Sequence, residues 1–207
     1  METDGALIRR TAEGDSDAFA VLVDRYQHSL INYLTHLMRS PERAEDIAQD
    51  AFVRLYRNAS KCWDEERLGP FLFRIATNLA ITEARRETRW QRLLPRFIAG
   101  QPKTAPAAEG TLLTNEVEQK VAAALAVLPV TFRAPLVLFE VEEWSYHEIA
   151  IALDCRVGTV KSRISRARAL MRTQLASWWI GGNDERQRSW QCAAAPSSND
   201  GIASLQA

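Results

Sequence analysis

The sequence predicts an all-α protein of two small helical domains joined by a flexible linker, the second domain containing a helix-turn-helix. Three observations carry this. Apolar residues recur at three- and four-residue steps through both halves of the 207-residue chain. That pattern fails between about Leu94 and Thr114, where Pro95, Gly100, Pro102, Pro106 and Gly110 crowd together as in a linker. Near the end, a short capped segment, a turn and a basic segment follow one another.

In the first half, Phe19, Leu22, Val23, Tyr26, Leu30, Tyr33, Leu34 and Leu37 form one stripe on a long helix that Asp15 or Ser16 can cap. A second helix starts at Ser40-Pro41, with serine as N-cap and proline pre-set for the first helical position. Its inward stripe is Ala44, Ile47, Ala48, Ala51, Phe52 and Leu55. The stretch from Ser60 to Gly69 is polar and reads as a loop, and Pro70 is expected to open a third helix carrying Phe71, Leu72, Ile75, Ala76 and Leu79. Three such stripes can close a bundle.

After the linker, Val117, Val121, Ala124, Leu125 and Leu128 mark a helix stopped by Pro129. The next helix, about Thr131 to Glu142, is read with Pro135 in its first turn, where a missing N–H costs little. Ser145-Tyr146-His147-Glu148 is a capping box that opens a short helix through Leu153. A turn over Asp154 to Gly158 leads into a last helix from about Thr159 to Leu175. The expected organisation is therefore 1–93, a linker at 94–114, 115–176, and a partly disordered tail at 177–207.

Composition excludes several classes. With 46% hydrophobic and 25% charged residues the chain suits a globular protein, and no apolar run is long enough for a bilayer span. The acidic start Met1-Glu2-Thr3-Asp4 lacks the apolar core of a signal peptide, so a cytoplasmic location without membrane insertion is expected. Cys62, Cys155 and Cys192 read as three reduced thiols. His28, His36 and His147 have no metal-ligand spacing, and neither a phosphate loop nor a nucleophile elbow is present. Neither a metal, a cofactor nor a catalytic residue is expected.

Net charge is zero, but the charges are segregated. Six basic and no acidic residues lie between Arg156 and Arg172, and six basic residues stand against Glu87 between Arg85 and Lys103. Acidic residues gather at Glu42, Glu45, Asp46 and Asp50, and at Glu140, Glu142, Glu143 and Glu148. Such segregation suits a chain that meets phosphate on one side and a protein on another. On the last helix, Val160, Ile164, Ala167 and Met171 fall inward, with Arg163 at the flank. Ser162, Ser165, Arg166 and Ala169 fall outward beside Thr159, Lys161 and Arg172, small residues and long cations suited to a major groove.

Glu148-Ile149-Ala150, followed by Val157-Gly158-Thr159-Val160-Lys161-Ser162-Arg163-Ile164-Ser165-Arg166-Ala167-Arg168, resembles the C-terminal domain of bacterial sigma factors of the extracytoplasmic-function (ECF) class, within the sigma-70 family. The resemblance implies a transcription initiation factor whose second domain reads the minus-thirty-five element through Thr159, Lys161, Ser162, Ser165 and Arg166. Arg156 stands where the family commonly has proline, and adds a cation that can meet phosphate. In the first domain, Asp46-Ile47-Ala48-Gln49-Asp50-Ala51-Phe52-Val53 is similar to the segment that docks on core RNA polymerase, which implies roles for Asp46, Ile47, Gln49, Asp50 and Val53.

The third helix resembles the segment that opens the minus-ten element, with Arg74, Asn78, Arg85 and Arg86 as candidates and the Ser60 to Gly69 loop as holder of a flipped base. Phe71 stands where the family often has tryptophan and is better read as core, with Trp63 as a substitute. The implied partners are core RNA polymerase, promoter DNA and an anti-sigma factor. The alternative is a helix-turn-helix regulator that is not a polymerase subunit.

Overall fold

The computed structural model describes residues 2–61, 68–93 and 116–179. Among them the protein is helical throughout. The first group comprises α1 (Asp4–Ala12), α2 (Ser16–Met38), α3 (Pro41–Arg57), a 3-10 turn at Ala59–Lys61 and α4 (Leu68–Leu93). The second comprises α5 (Glu116–Val127), α6 (Val130–Glu140), α7 (Tyr146–Ala152) and α8 (Val157–Trp179). The linker region 94–114, the tail from residue 180, Trp63, and the cysteines Cys62 and Cys192 lie outside the described residues.

The caps are those the sequence indicates. The Asp15 carboxylate accepts from the N–H groups of Asp17 and Ala18, and the Ser40 hydroxyl from that of Arg43 ahead of Pro41. Leu22, Leu30, Leu34, Leu37, Ala44, Ala48, Ala51 and Leu55 are buried, so the α2 and α3 stripes face one another. Tyr33 is buried too, and its hydroxyl donates to Thr77 Oγ1 at 2.7 Å, because the Thr77 proton is already given to the Phe73 carbonyl. Burial holds the Tyr33 phenol far above its ordinary range, so it stays neutral.

Three local readings need correction. Helix α4 begins at Leu68, two residues before Pro70, because proline is tolerated anywhere in a first turn. Gly69 fits there since an added Cβ would come within 3.3 Å of the Tyr26 ring. Pro135 lies beyond the first turn of α6, which starts at Val130, so the helix gives up one interior donor. Helix α8 starts at Val157 and runs to Trp179, longer at both ends than its sequence pattern.

The sequence reading also passed over α1. Thr3 caps it, Asp4 sits in its first turn and Arg9 and Arg10 in its last, charges that suit the helix dipole. It buries Leu7 and Ile8 against α2, and Asp4 takes bonds from Arg25 and Tyr26.

The two groups are packed against each other, which no local pattern foretells. Helices α4 and α7 touch, as do α2 and α6, and one cluster of buried side chains runs through both groups. Among the described residues no helix is long and apolar enough to cross a membrane.

Candidate nucleic-acid interface and partner-facing helix

The α7–α8 pair is a helix-turn-helix built by its caps. Ser145 Oγ accepts from the Glu148 N–H at 3.3 Å, and the Glu148 carboxylate accepts from Ser145 N at 2.8 Å. The Ser145 hydroxyl and backbone N–H hold the Glu148 carboxyl below its ordinary range, so the box stays formed at neutral pH. The turn uses Asp154 at φ 48°, which a short polar side chain tolerates. The Arg156 carbonyl then starts α8 by accepting from Thr159 N at 2.8 Å.

On α8, Val160, Ile164 and Ala167 are fully buried, and Met171 packs beside them. Arg156, Lys161, Ser162, Ser165 and Arg166 are exposed, Thr159 is half-exposed and Arg163 is at the margin. Lys161 Nζ rests 5.5 Å from the Tyr146 ring centroid, and that ring stacks on Phe139 at 4.8 Å. The contact holds a mobile ammonium near the protein without neutralising it. Ser162 Oγ donates to the Thr159 carbonyl at 2.9 Å, which leaves its lone pairs for an external donor. Arg168 is spent inside the fold, 2.7 Å from Glu140 and lying over Phe139.

Helix α4 is arranged differently. Arg74 is paired with Asp154 of the α7–α8 turn at 2.5 Å. Asn78, Arg85 and Arg86 are exposed, Arg86 standing 3.8 Å from Glu83. Phe71 is partly buried against the core, as its sequence reading held.

On α3, Asp46, Gln49, Asp50 and Val53 are exposed and share one face with Tyr56. Ile47 is buried at 8% exposure, so it braces that face from behind instead of presenting itself to a partner. Beside Gln49, Val23 and Ile31 of α2 and Ala48 and Phe52 of α3 line a shallow groove.

Three of the four residues of the second acidic cluster are used within the chain, where the sequence had suggested a partner surface, and Glu143 is exposed. Glu140 pairs with Arg168, Glu148 closes the capping box, and Glu142 accepts from Ser29 and, at 3.1 Å, from Asn32 of α2. Arg133 is the residue sequence reasoning missed. It is buried, and its guanidinium donates at 2.7 Å to the carbonyls of Leu37, Ala126 and Leu128. Burial pulls its pKa down to about 10, which leaves it charged at neutral pH, and among the described residues its Nε has no partner. A lone cation within the apolar run Val130 to Phe139 was the available signal.

Among the described residues no group of three or more histidine, cysteine or acidic side chains could hold a metal ion. Cys155 is a free thiol, pushed up by burial.

Comparison with known proteins agrees with this architecture. Residues 22–90 match Sigma-70 region 2, and residues 118–171 match Sigma-70, region 4. The chain is 34% identical over 176 residues to the RNA polymerase sigma-H factor of Pseudomonas aeruginosa, covering 81% of this chain and 91% of that protein. It is 33% identical over 180 residues to the ECF RNA polymerase sigma factor SigW of Bacillus subtilis, covering 81% and 94%. Among solved structures it is similar to the sigma factor RpoE in complex with the anti-sigma factor NepR from Bartonella quintana. There the TM-score is 0.60 and the identity 25%, over 76% of this chain and 96% of that one. Two region matches in this order, carried on the helices just described and shared with full-length relatives, make the chain a member of the sigma-70 family, of its ECF class.

Proposed function

We propose that the chain is a transcription initiation factor that binds core RNA polymerase through α3, reads the minus-thirty-five element through α8 and helps hold the opened minus-ten element through α4. It supplies binding free energy and no catalytic step, and it acts in the cytoplasm. The observation that carries the reading is the pair of oppositely charged, outward faces: Asp46, Gln49, Asp50 and Val53 on α3, and Arg156, Lys161, Ser162, Ser165 and Arg166 on α8.

Small hydroxyl side chains on α8 let the helix sit deep in a major groove while Arg166 and Lys161 reach base edges or phosphates. On α3 the acceptors and Val53 suit a basic, partly apolar partner helix. Strand opening needs no nucleotide hydrolysis. One base held by stacking returns about 1–3 kcal/mol, against roughly 1.4 kcal/mol for a lost duplex step. A few pockets with Asn78, Arg85 and Arg86 along the backbone are enough once polymerase clamps the duplex. The organisation follows the two matched regions, with 1–93 serving polymerase and the minus-ten element and 115–176 the minus-thirty-five element. The NepR complex of the Bartonella protein supports an anti-sigma factor as a further partner.

The test is reconstitution. Core polymerase plus the purified chain should initiate at promoters mapped by 5′-end capture after overproduction, and core alone should not. Sequence-specific duplex binding without initiation would instead favour a helix-turn-helix regulator.

A further inference from the structure

We propose that Tyr146 is a positioning residue for promoter binding: its ring, held in a column of two cations and two aromatic rings across the helix-turn-helix, seats the Lys161 ammonium for one phosphate of the upstream element. The inference rests on the functional reading above.

The column starts at Glu140 and passes through Arg168, Phe139 and Tyr146 to Lys161. Arg168 donates to the Glu140 carboxylate through Nε at 2.9 Å and stands 2.7 Å from it through Nη2. Its guanidinium lies 5.2 Å from the Phe139 ring centroid. Phe139 and Tyr146 stack at 4.8 Å with their planes 9° apart, and Lys161 Nζ stands 5.5 Å from the Tyr146 centroid. Three elements contribute: Phe139 and Glu140 end α6, Tyr146 opens α7, and both cations come from α8. Lys161 and Arg168 are about two helical turns apart, so they project from one side of α8 at ~10.5 Å along its axis. Both rings also pack against the buried core, which fixes their planes.

The two ends of the column differ. At the Arg168 end Glu140 balances the charge and ties the guanidinium at two nitrogens. At the other end Lys161 is exposed, and among the described residues no carboxylate pairs with it. The face of a ring attracts an ammonium without neutralising it, and the ammonium keeps its donors for an external acceptor. Of the exposed candidates Arg156, Lys161 and Arg166, Lys161 alone among the described residues lies over a ring. The chemistry explains why lysine is the one seated. Arginine carries its own planar fork, whereas a lysine ammonium rides on a flexible four-carbon stem that loses rotamer freedom when it meets phosphate. A ring beneath the ammonium removes part of that freedom before DNA arrives. The seat therefore adds affinity through a phosphate and carries no sequence information of its own.

The experiment uses the full chain and a duplex bearing the mapped upstream element. In the free native protein the ε-methylene protons of Lys161, assigned by their loss in Lys161→Arg, should resonate upfield of the other lysines through the Tyr146 ring current. Tyr146→Leu should return them to the ordinary position. It should also weaken duplex binding about two- to fivefold, evenly over single-position promoter variants, while Tyr146→Phe keeps the ring face and stays within about 1.5-fold of native. In a Lys161→Ala background, Tyr146→Leu should cost less than about 1.5-fold, because the contact it supports is already gone. Losses that multiply independently overturn the proposal, since Tyr146 would then act apart from Lys161. A Tyr146→Phe loss equal to that of Tyr146→Leu overturns it too, by assigning the role to the hydroxyl. Should Tyr146→Leu fail to fold, the native chain still decides: binding without the upfield shift overturns the seat alone. A native chain that shows the shift but binds no mapped duplex overturns the functional reading, and this proposal with it.

Discussion

Helices α4 and α8 are both read as meeting promoter DNA, yet the fold treats them in opposite ways. On α8 the buried stripe is Val160, Ile164 and Ala167, and the candidate residues look into solvent. On α4, Phe73 and Thr77 are buried against Tyr33 of α2, and Arg74 is already paired. The difference teaches that a cation's place in a sequence motif does not say whether it is free. Arg166 has no ion pair among the described residues, whereas Arg168, two positions on, is held by Glu140. Exposure and existing partners separate a group ready for a ligand from one the fold already uses.

The strongest way to break the comparison is through Arg133, which joins the ends of α5 and α6 to α2. Arg133→Ala strips charged donors from three carbonyls, of Leu37, Ala126 and Leu128. Leaving them without that donor should cost about 3 kcal/mol or more in urea unfolding. Arg133→Lys keeps one charge but not the planar fork, and should recover only part of the loss. A loss below about 1 kcal/mol for Arg133→Ala would mean water replaces the guanidinium there.

The α8 face can be sharpened next. If Arg166 reads a base, Arg166→Ala should weaken binding by about 1–3 kcal/mol at one upstream promoter position and relax selectivity there. Lys161→Ala should weaken binding evenly across sequences and shallow its salt dependence, as a phosphate contact does. Competition binding on single-position promoter variants distinguishes the two. Loss spread evenly over all variants for Arg166→Ala would make it a phosphate contact as well.

On α3 the expected effect is smaller. Gln49→Ala with Asp50→Ala should weaken core polymerase binding by about 1–2 kcal/mol, the worth of one or two hydrogen bonds. The unfolding midpoint should hold, since both side chains are exposed. Unchanged affinity for core would take these residues out of the docking face.

How much of this was legible follows the range of the interactions. Ser40-Pro41, Asp15 and the Ser145–Glu148 box act within one helical turn, so their chemistry was readable and their helices were found. Helix α1 was missed although Thr3, Asp4 and Arg10 give its local signals, because nine residues bury too few side chains to make a stripe. The α8 wheel set Ser162, Ser165 and Arg166 outward correctly, since a helix with one buried face fixes the other. Ile47 shows the same rule working against a residue transferred by resemblance: its inward position on the α3 stripe was in the sequence, and the fold buries it. The contacts between the two groups could not be read, because Glu142 meets Ser29 across 113 positions and Asp154 meets Arg74 across 80. Before folding, Glu142 is one more acid in a cluster, and only packing selects it.

The finest test concerns His36 on α2, which Glu142 faces from the other group. Burial lowers the His36 pKa from the usual 6.5, and the Glu142 carboxylate partly offsets this. The unfolded chain therefore binds this proton more readily than the folded chain, and stability rises with pH in that range. Above about pH 6.5 His36 is neutral in both states and contributes nothing; as pH falls through that value and below, stability is lost. His36→Gln should flatten this part of a stability-against-pH curve measured by urea unfolding. Glu142→Gln, which removes the charge but keeps an amide oxygen for Ser29 and Asn32, should steepen it, because burial then acts without the opposing charge. If Glu142→Gln left the slope unchanged, the carboxylate would not be sensed at His36, and the contact between α2 and the α6–α7 turn would be open in solution.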